Sequence, residues 1–252
     1  MGERNIRLIV EYDGTPYLGW QKQKDGPSVE AELVRALAAV TGDEPALLVA
    51  GRTDAGVHAY AQVVNFRTDS PIKDWRFSHA INFHLPETIT VHESSEVPAD
   101  FNARMDSLSK RYRYRIYQGP HLPALETHRV WHHRTELDLD AMHRAAQPLI
   151  GEHDFNSFRS VHCDADHAVR EMFSISIERI ERPPVGYFVD ITFHANAYCR
   201  HMCRILAGTL CDVGRGRIVP DALATIRDAR DRKQAGVTAP ACGLTLLEIL
   251  YS

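Results

Sequence analysis

Apolar and polar positions along the chain alternate between two periods. The run "IRLIVEYDG" is dominated by apolar side chains and closes on Gly14 and Pro16, which predicts a strand followed by a turn. Past Pro27 the period lengthens. Val29, Leu33, Ala36, Leu37 and Val40 recur at the spacing of one helical face. Ser28 is placed to accept from the first free amides, and Gly42 to end the helix in a left-handed conformation. "ALLVAG" and "AQVVNF" read as strands, "DWRFSHAINFHLP" as a shorter helix, and "ITVHESSEV" as another strand.

A second round starts near Lys110. "KRYRYRIY" alternates strongly and predicts a strand. "DLDAMHRAAQPLIG" places Met142, Ala145, Ala146, Leu149 and Ile150 on one helical face. "MFSISIERI" and "YFVDITFHA" predict a hairpin around Pro183, Pro184 and Gly186. "YCRHMCRILAGTLCDVG" reads as a helix ending at Gly214. "PDALATIRDARDR" reads as a further helix, with Pro220 in a favoured first-turn position, and "GLTLLEILY" as a closing strand. Each half therefore runs strand, helix, two strands, helix, strand, which is the order of the ferredoxin-like motif. The pattern predicts an α+β protein of two related domains, residues 1–104 and 105–252, with antiparallel or mixed sheets flanked by helices. Their junction falls between about Ala99 and Ser109.

The length of 252 residues is enough for a real core in either one large or two small domains. Charges at Glu3, Arg4 and Arg7 argue against a signal peptide. Ile6 stands where a myristoylation signal requires Ser or Thr, and no apolar run is long enough to span a bilayer. The cytoplasm is the expected location. Five cysteines are an odd number and suit reduced thiols better than a disulfide framework. The net charge of −4 means that a phosphate-bearing partner would have to be held by local basic stripes.

Three stretches carry candidate chemistry. In "GRTDAGVHA" the carboxylate of Asp54 sits on a turn that Gly51 and Gly56 allow to bend tightly and approach a ligand closely. Such an acid can serve as nucleophile, general base or electrostatic stabiliser. A turn Asp bonded to its own backbone amides is the commoner use of such a residue. A glycoside hydrolase would require a second acid beside it, which no motif supplies. In "SKRYRYRIYQG" one face of the strand carries Lys110, Tyr112, Tyr114 and Ile116, the other Arg111, Arg113, Arg115 and Tyr117. The arginine row suits phosphates and the aromatic face suits a base. A solvated sheet face over core tyrosines, or a row opposing an acidic strand, accounts for the same pattern. In "NAYCRHMCRILAG" a helix places Arg200 and Arg204 on one face. An arginine such as Arg204, where a helix meets the core, often needs a carboxylate partner, and pairing with Asp54 would hold that acid ionised at neutral pH. A structural ion pair is the alternative. The fourteen histidines do not fall into zinc spacings, and neither a Walker A loop nor a dinucleotide fingerprint occurs. The expected chemistry uses no metal and no cofactor.

Taken together, "YDGTPYLGWQKQ", "GRTDAGVHA" with "QVVNF", "KRYRYRIY", "GEHDFNSFR", "RHMCRILAG" and "GLTLLEI" resemble, in order and across essentially the whole chain, the tRNA pseudouridine synthase A family. The resemblance implies two α+β domains around a central cleft, usually in a homodimer, and a cofactor-free isomerase. That enzyme turns uridine into pseudouridine at positions 38, 39 and 40 of tRNA, in the anticodon stem and loop. It implies that Asp54 is the catalyst, that Arg52 assists flipping of the target nucleotide, and that Tyr112 stacks on the base. Arg204 becomes the arginine paired with the catalytic carboxylate, and Leu244 lines the uracil pocket. Tyr60 departs from the family pattern, which often has a small apolar residue there. The reading that competes with this one is a non-catalytic RNA-binding module built on Arg111, Arg113 and Arg115. It leaves the glycine-flanked acid unexplained.

Overall fold

A computed structural model describes residues 2–163 and 165–251. The protein is a mixed α+β molecule. Its chain separates into two compact units: residues up to Leu108 together with those from Thr245 on, and Ser109–Leu244.

The first unit contains β1 (Arg4–Tyr12), α1 (Val29–Thr41), β2 (Leu48–Val49), β3 (His58–Thr68), α2 (Arg76–Asn82) and β4 (Ile89–Val97). Its sheet runs in the order β4-β1-β3-β2, with every neighbour antiparallel. This is the strand order that a βαββαβ chain makes when its two βαβ halves interleave. Ile6, Leu8 and Val10 alternate inward along β1 and are fully buried. Leu33 and Leu37 of α1, and Phe77 and Ile81 of α2, are buried to the same degree. Phe66 and Phe77 meet edge to face, their centroids 5.6 Å apart. The predicted caps of α1 are present. The Ser28 hydroxyl accepts from the Ala31 amide at 3.3 Å, and Gly42 takes φ +90°.

In the second unit the elements are β5 (Ser109–Gln118), β6 (Trp131–His133), α3 (Leu139–Ala146), β7 (Gly151–Asp154), β8 (Val169–Glu181), β9 (Tyr187–Ala195), α4 (Met202–Gly214) and α5 (Ala222–Asp228). The strands β5-β9-β8-β7 follow one another antiparallel, and β6 lies parallel to β5. The relation β5-β9-β8 repeats that of β1-β3-β2, so the likeness of the two halves extends from element order to strand placement.

The sequence pattern places the last strand with residues 105–252. That strand, β10 (Leu244–Leu250), pairs in parallel with β3 through Thr245 opposite His58 and Leu246 opposite Ala59, and residues from Thr245 on group with the first unit. No local pattern encodes such a return, because a parallel partner can lie any distance away along the chain.

A second difference concerns α4. The pattern from Tyr198 onward predicts helix, yet α4 begins at Met202. His201 holds φ +63°, and the Met202 amide closes a turn onto the Cys199 carbonyl at 3.0 Å. A left-handed non-glycine residue interrupts the helical path. Arg200 therefore precedes the helix and does not share a face with Arg204.

Candidate functional site

Asp54 occupies a four-residue turn. The Val57 amide donates to the Asp54 carbonyl at 3.1 Å, and Gly56 at the third position takes φ +76°. These are the marks of a type II turn, which demands glycine there. The turn leads directly into β3, whose first residue is His58.

The segment "YDGTPYLGW" holds this turn by its backbone. The Trp20 amide donates to the Thr53 carbonyl at 3.0 Å, and the Gly56 amide to the Tyr17 carbonyl at 3.3 Å. The approach is so close that a Cβ on Gly14 would stand 2.0 Å from the Val57 oxygen, and one on Gly19 2.8 Å from the Thr53 oxygen. Side chains complete the clamp. The hydroxyls of Tyr12 and Thr53 share a hydrogen bond of 2.7 Å, and Gln62 donates to the Gly51 carbonyl at 2.7 Å. Burial pushes the Tyr12 phenol up to about 12, with the bonds from Thr53 and Gln62 pulling weakly the other way. His58 is buried with Nδ1 3.1 Å from the Asp13 carboxylate, which ties the start of β3 to the same segment. Asp54 itself is half-buried at the rim of this frame, and Arg52 is exposed two residues away.

In sequence, "YDGTPYLGW" is a motif block with no task of its own. Two glycines five residues apart among aromatic residues were the available signal. Each marks a place where backbone meets backbone too closely for a side chain.

The strand face with Tyr112 is assembled as the alternation predicts. Tyr112, Tyr114 and Ile116 are buried on one side of β5. Tyr112 keeps 7% exposure, and its ring stands edge to face with Tyr198 at 5.0 Å. The Tyr198 hydroxyl donates to the Lys110 carbonyl at 3.1 Å. The Tyr198 phenol is held well above its ordinary range, by burial first and then by the neighbouring Cys203 and Tyr112.

On the opposite face, the acidic-strand alternative accounts for part of the arginine row. Arg115 grips Asp190 of β9 with two bonds of 2.6 Å, and its guanidinium lies 4.6 Å from the centre of the Phe188 ring. Arg113 Nε stands 3.9 Å from the same carboxylate. One buried acid thus organises two of the three arginines.

Arg204 lies on the first turn of α4. Its Nε donates to the Ala239 carbonyl at 2.8 Å, and the Ala239 amide donates back to the Arg204 carbonyl at 3.1 Å. The stretch around Val237 presses so tightly on α4 that a Cβ on Gly208 would stand 1.9 Å from the Val237 oxygen. Glycine in "RILAG" is thereby explained, and so is the fixed orientation of Arg204. Leu244 is buried at the first position of β10. The preceding Gly243 passes so near Tyr114 that its Cβ would lie 2.7 Å from that ring. Asp54 and Arg52 thus lie in the first unit, and Tyr112, Arg204 and Leu244 in the second.

Residues 145–252 match a family model described as tRNA pseudouridine synthase. Three curated relatives, each named tRNA pseudouridine synthase A, align over 98% of this chain. The relative from Acetivibrio thermocellus is 45% identical and covered over its full length. Those from Syntrophotalea carbinolica and Aliivibrio salmonicida are 44% and 43% identical and covered over 96% and 92%.

Proposed function

The chain belongs to the tRNA pseudouridine synthase A family, and from that premise we propose that it converts uridine to pseudouridine at positions 38, 39 and 40 of tRNA, in the anticodon stem and loop, with Asp54 as catalyst. The enzyme is an isomerase. The N1–C1′ bond of uridine breaks and a C5–C1′ bond forms; the proton leaves C5 and N1 gains one. Atoms and oxidation level balance without any further reactant.

One observation carries the assignment to Asp54: a carboxylate half-buried on a glycine turn that neighbouring backbone clamps from Gly14, Tyr17, Gly19 and Trp20. Catalysis requires a reacting group held in place before substrate arrives. Asp54 acts at the ribose C1′, on the base, or on a ribose proton, and each route starts from the charged carboxylate. A stacked base is out of reach of all three, so the nucleotide must swing out at a cost of about a few kcal/mol. Arg52, exposed beside the acid, supports that extrusion by entering the vacated space or gripping a phosphate. Tyr112, Arg204 and Leu244 are assigned to substrate binding. Tyr112 offers its ring to the uracil, Arg204 its oriented guanidinium, and Leu244 an apolar wall. The working form is a cytoplasmic homodimer.

The test is turnover on an unmodified tRNA transcript. Asp54→Asn is expected to fold as the parent does, bind the transcript and form no pseudouridine. Substantial product from that variant removes Asp54 from the role. Tyr112→Phe keeps the ring and should retain most activity. Mapping pseudouridines in tRNA made with and without the protein decides the three positions, and product confined to other sites rejects them.

A further inference from the structure

Two thiols of the second unit meet outside the residues assigned above. Cys163 lies in the turn after "FNSFR", and Cys199 in the turn before α4. The Arg200 amide donates to the Cys163 sulfur at 3.4 Å, and the two thiols lie close enough for Cys163 to raise the Cys199 thiol. The amide nitrogen of a residue is about 2.4 Å from the preceding Cα, so the Cys163 sulfur is within about 6 Å of the Cys199 Cα. That bound makes the two side chains neighbours, and a bridge between them needs the sulfurs to turn toward one another. The two turns are stitched together by backbone as well. The Ser160 amide donates to the Arg200 carbonyl at 2.9 Å, the Cys163 amide to the Ser160 carbonyl at 3.1 Å, and an Arg200 guanidinium nitrogen to the His162 carbonyl at 3.2 Å.

The thiols differ in access and surroundings. Cys163 is half-exposed, whereas Cys199 keeps 4% exposure. Burial pushes the Cys199 thiol up to about 11, with Arg170 and Arg159 pulling the other way. A partly exposed sulfur is where thiol exchange starts, and a buried neighbour within reach is what completes it.

We propose that Cys163 and Cys199 form a reversible redox pair, closed by exchange with a small-molecule disulfide. In the first step the Cys163 thiolate attacks one sulfur of the disulfide. A mixed disulfide forms, and one equivalent of the small thiol leaves. In the second, the Cys199 thiol gives up its proton and its sulfur attacks that of Cys163, expelling the second equivalent. The protein loses two hydrogens, and one small-molecule disulfide becomes two thiols. The resulting bond ties the turn of residues 160–163 to the turn that leads into α4, the helix bearing Arg204.

The experiment exposes the whole protein to oxidised glutathione, blocks remaining thiols by alkylation, and reads the digest by mass spectrometry. The expected product is a Cys163-containing peptide linked to the Cys199-containing peptide, released by dithiothreitol. Cys163→Ser should abolish the link. Cys199→Ser should trap glutathione on Cys163, and Cys199→Ala serves the same purpose if a buried hydroxyl prevents folding. Cys242→Ser should leave the link unchanged. A wild-type protein that stops at the glutathione adduct, returns both cysteines alkylated, or links Cys163 to a different cysteine overturns the pairing. None of these readouts depends on the tRNA assignment.

Discussion

Single residues in this protein do work that their side chains alone do not advertise. Gly14 and Gly19 are the clearest cases, because the space a methyl would need is already filled by the Val57 and Thr53 carbonyls. Gly14→Ala and Gly19→Ala should each lower stability by about 1–3 kcal/mol. At Gly19 the alanine must in addition take φ +102°, a conformation L side chains rarely adopt. Urea titration measures the stability loss. Turnover of the folded fraction should also fall, since the clamp positions Asp54; unchanged turnover would show that the clamp serves folding alone.

Tyr12 adds a pH signature. Its folded pKa of about 12 exceeds the ordinary value of 10.0, so the stabilising difference is fully present below about pH 10 and is lost as pH rises through 12. A shift of this size corresponds to on the order of 2 kcal/mol. Tyr12→Phe should therefore show a shallower loss of stability between pH 10 and 12 in urea melts, at the expense of its bond to Thr53, worth about 1 kcal/mol at neutral pH.

At the scale of elements, α1 and the β5-β9 ladder show local chemistry completed by neighbours. Ser28 was legible as a cap from its position before an apolar stripe, and its hydroxyl reaches the Ala31 amide. Ser28→Ala should cost about 1 kcal/mol in chemical denaturation. Strand β5 was equally legible, since alternation alone separates its tyrosine and arginine faces. What faces the arginines was not. Asp190 is opposite Arg115 only because β9 pairs in that register. Asp190 is buried, so Asp190→Ala leaves two half-buried guanidinium groups without their carboxylate and should destabilise by about 2–4 kcal/mol. Replacing Arg115 and Asp190 together with a well-packed apolar pair should restore much of that loss. Helix α4 is the counterexample for periodicity. An apolar pattern continues back to Tyr198, but the left-handed turn at His201 depends on tertiary bonds to residues 160–163 that no window of the sequence contains.

Across the whole molecule, the sequence by itself determined the α+β class, the five helices and every strand but β6 and β7 in their order, the caps of α1, the two faces of β5 and the family. It did so because propensity, side-chain period and capping are local, and because six motif blocks fall in order along nearly the full chain. It also singled out Asp54 as an acid on a bend. The tertiary structure alone decided what holds that acid: a clamp from a segment more than thirty residues earlier, in which glycines yield their space to carbonyl oxygens. It alone brought β10 beside the first residues of β3, paired Asp190 with Arg115, set Tyr198 against Tyr112 and laid the chain around Ala239 along Arg204. Each of these contacts joins positions distant in sequence, and its geometry follows from packing and strand register, which arise only when the elements are assembled.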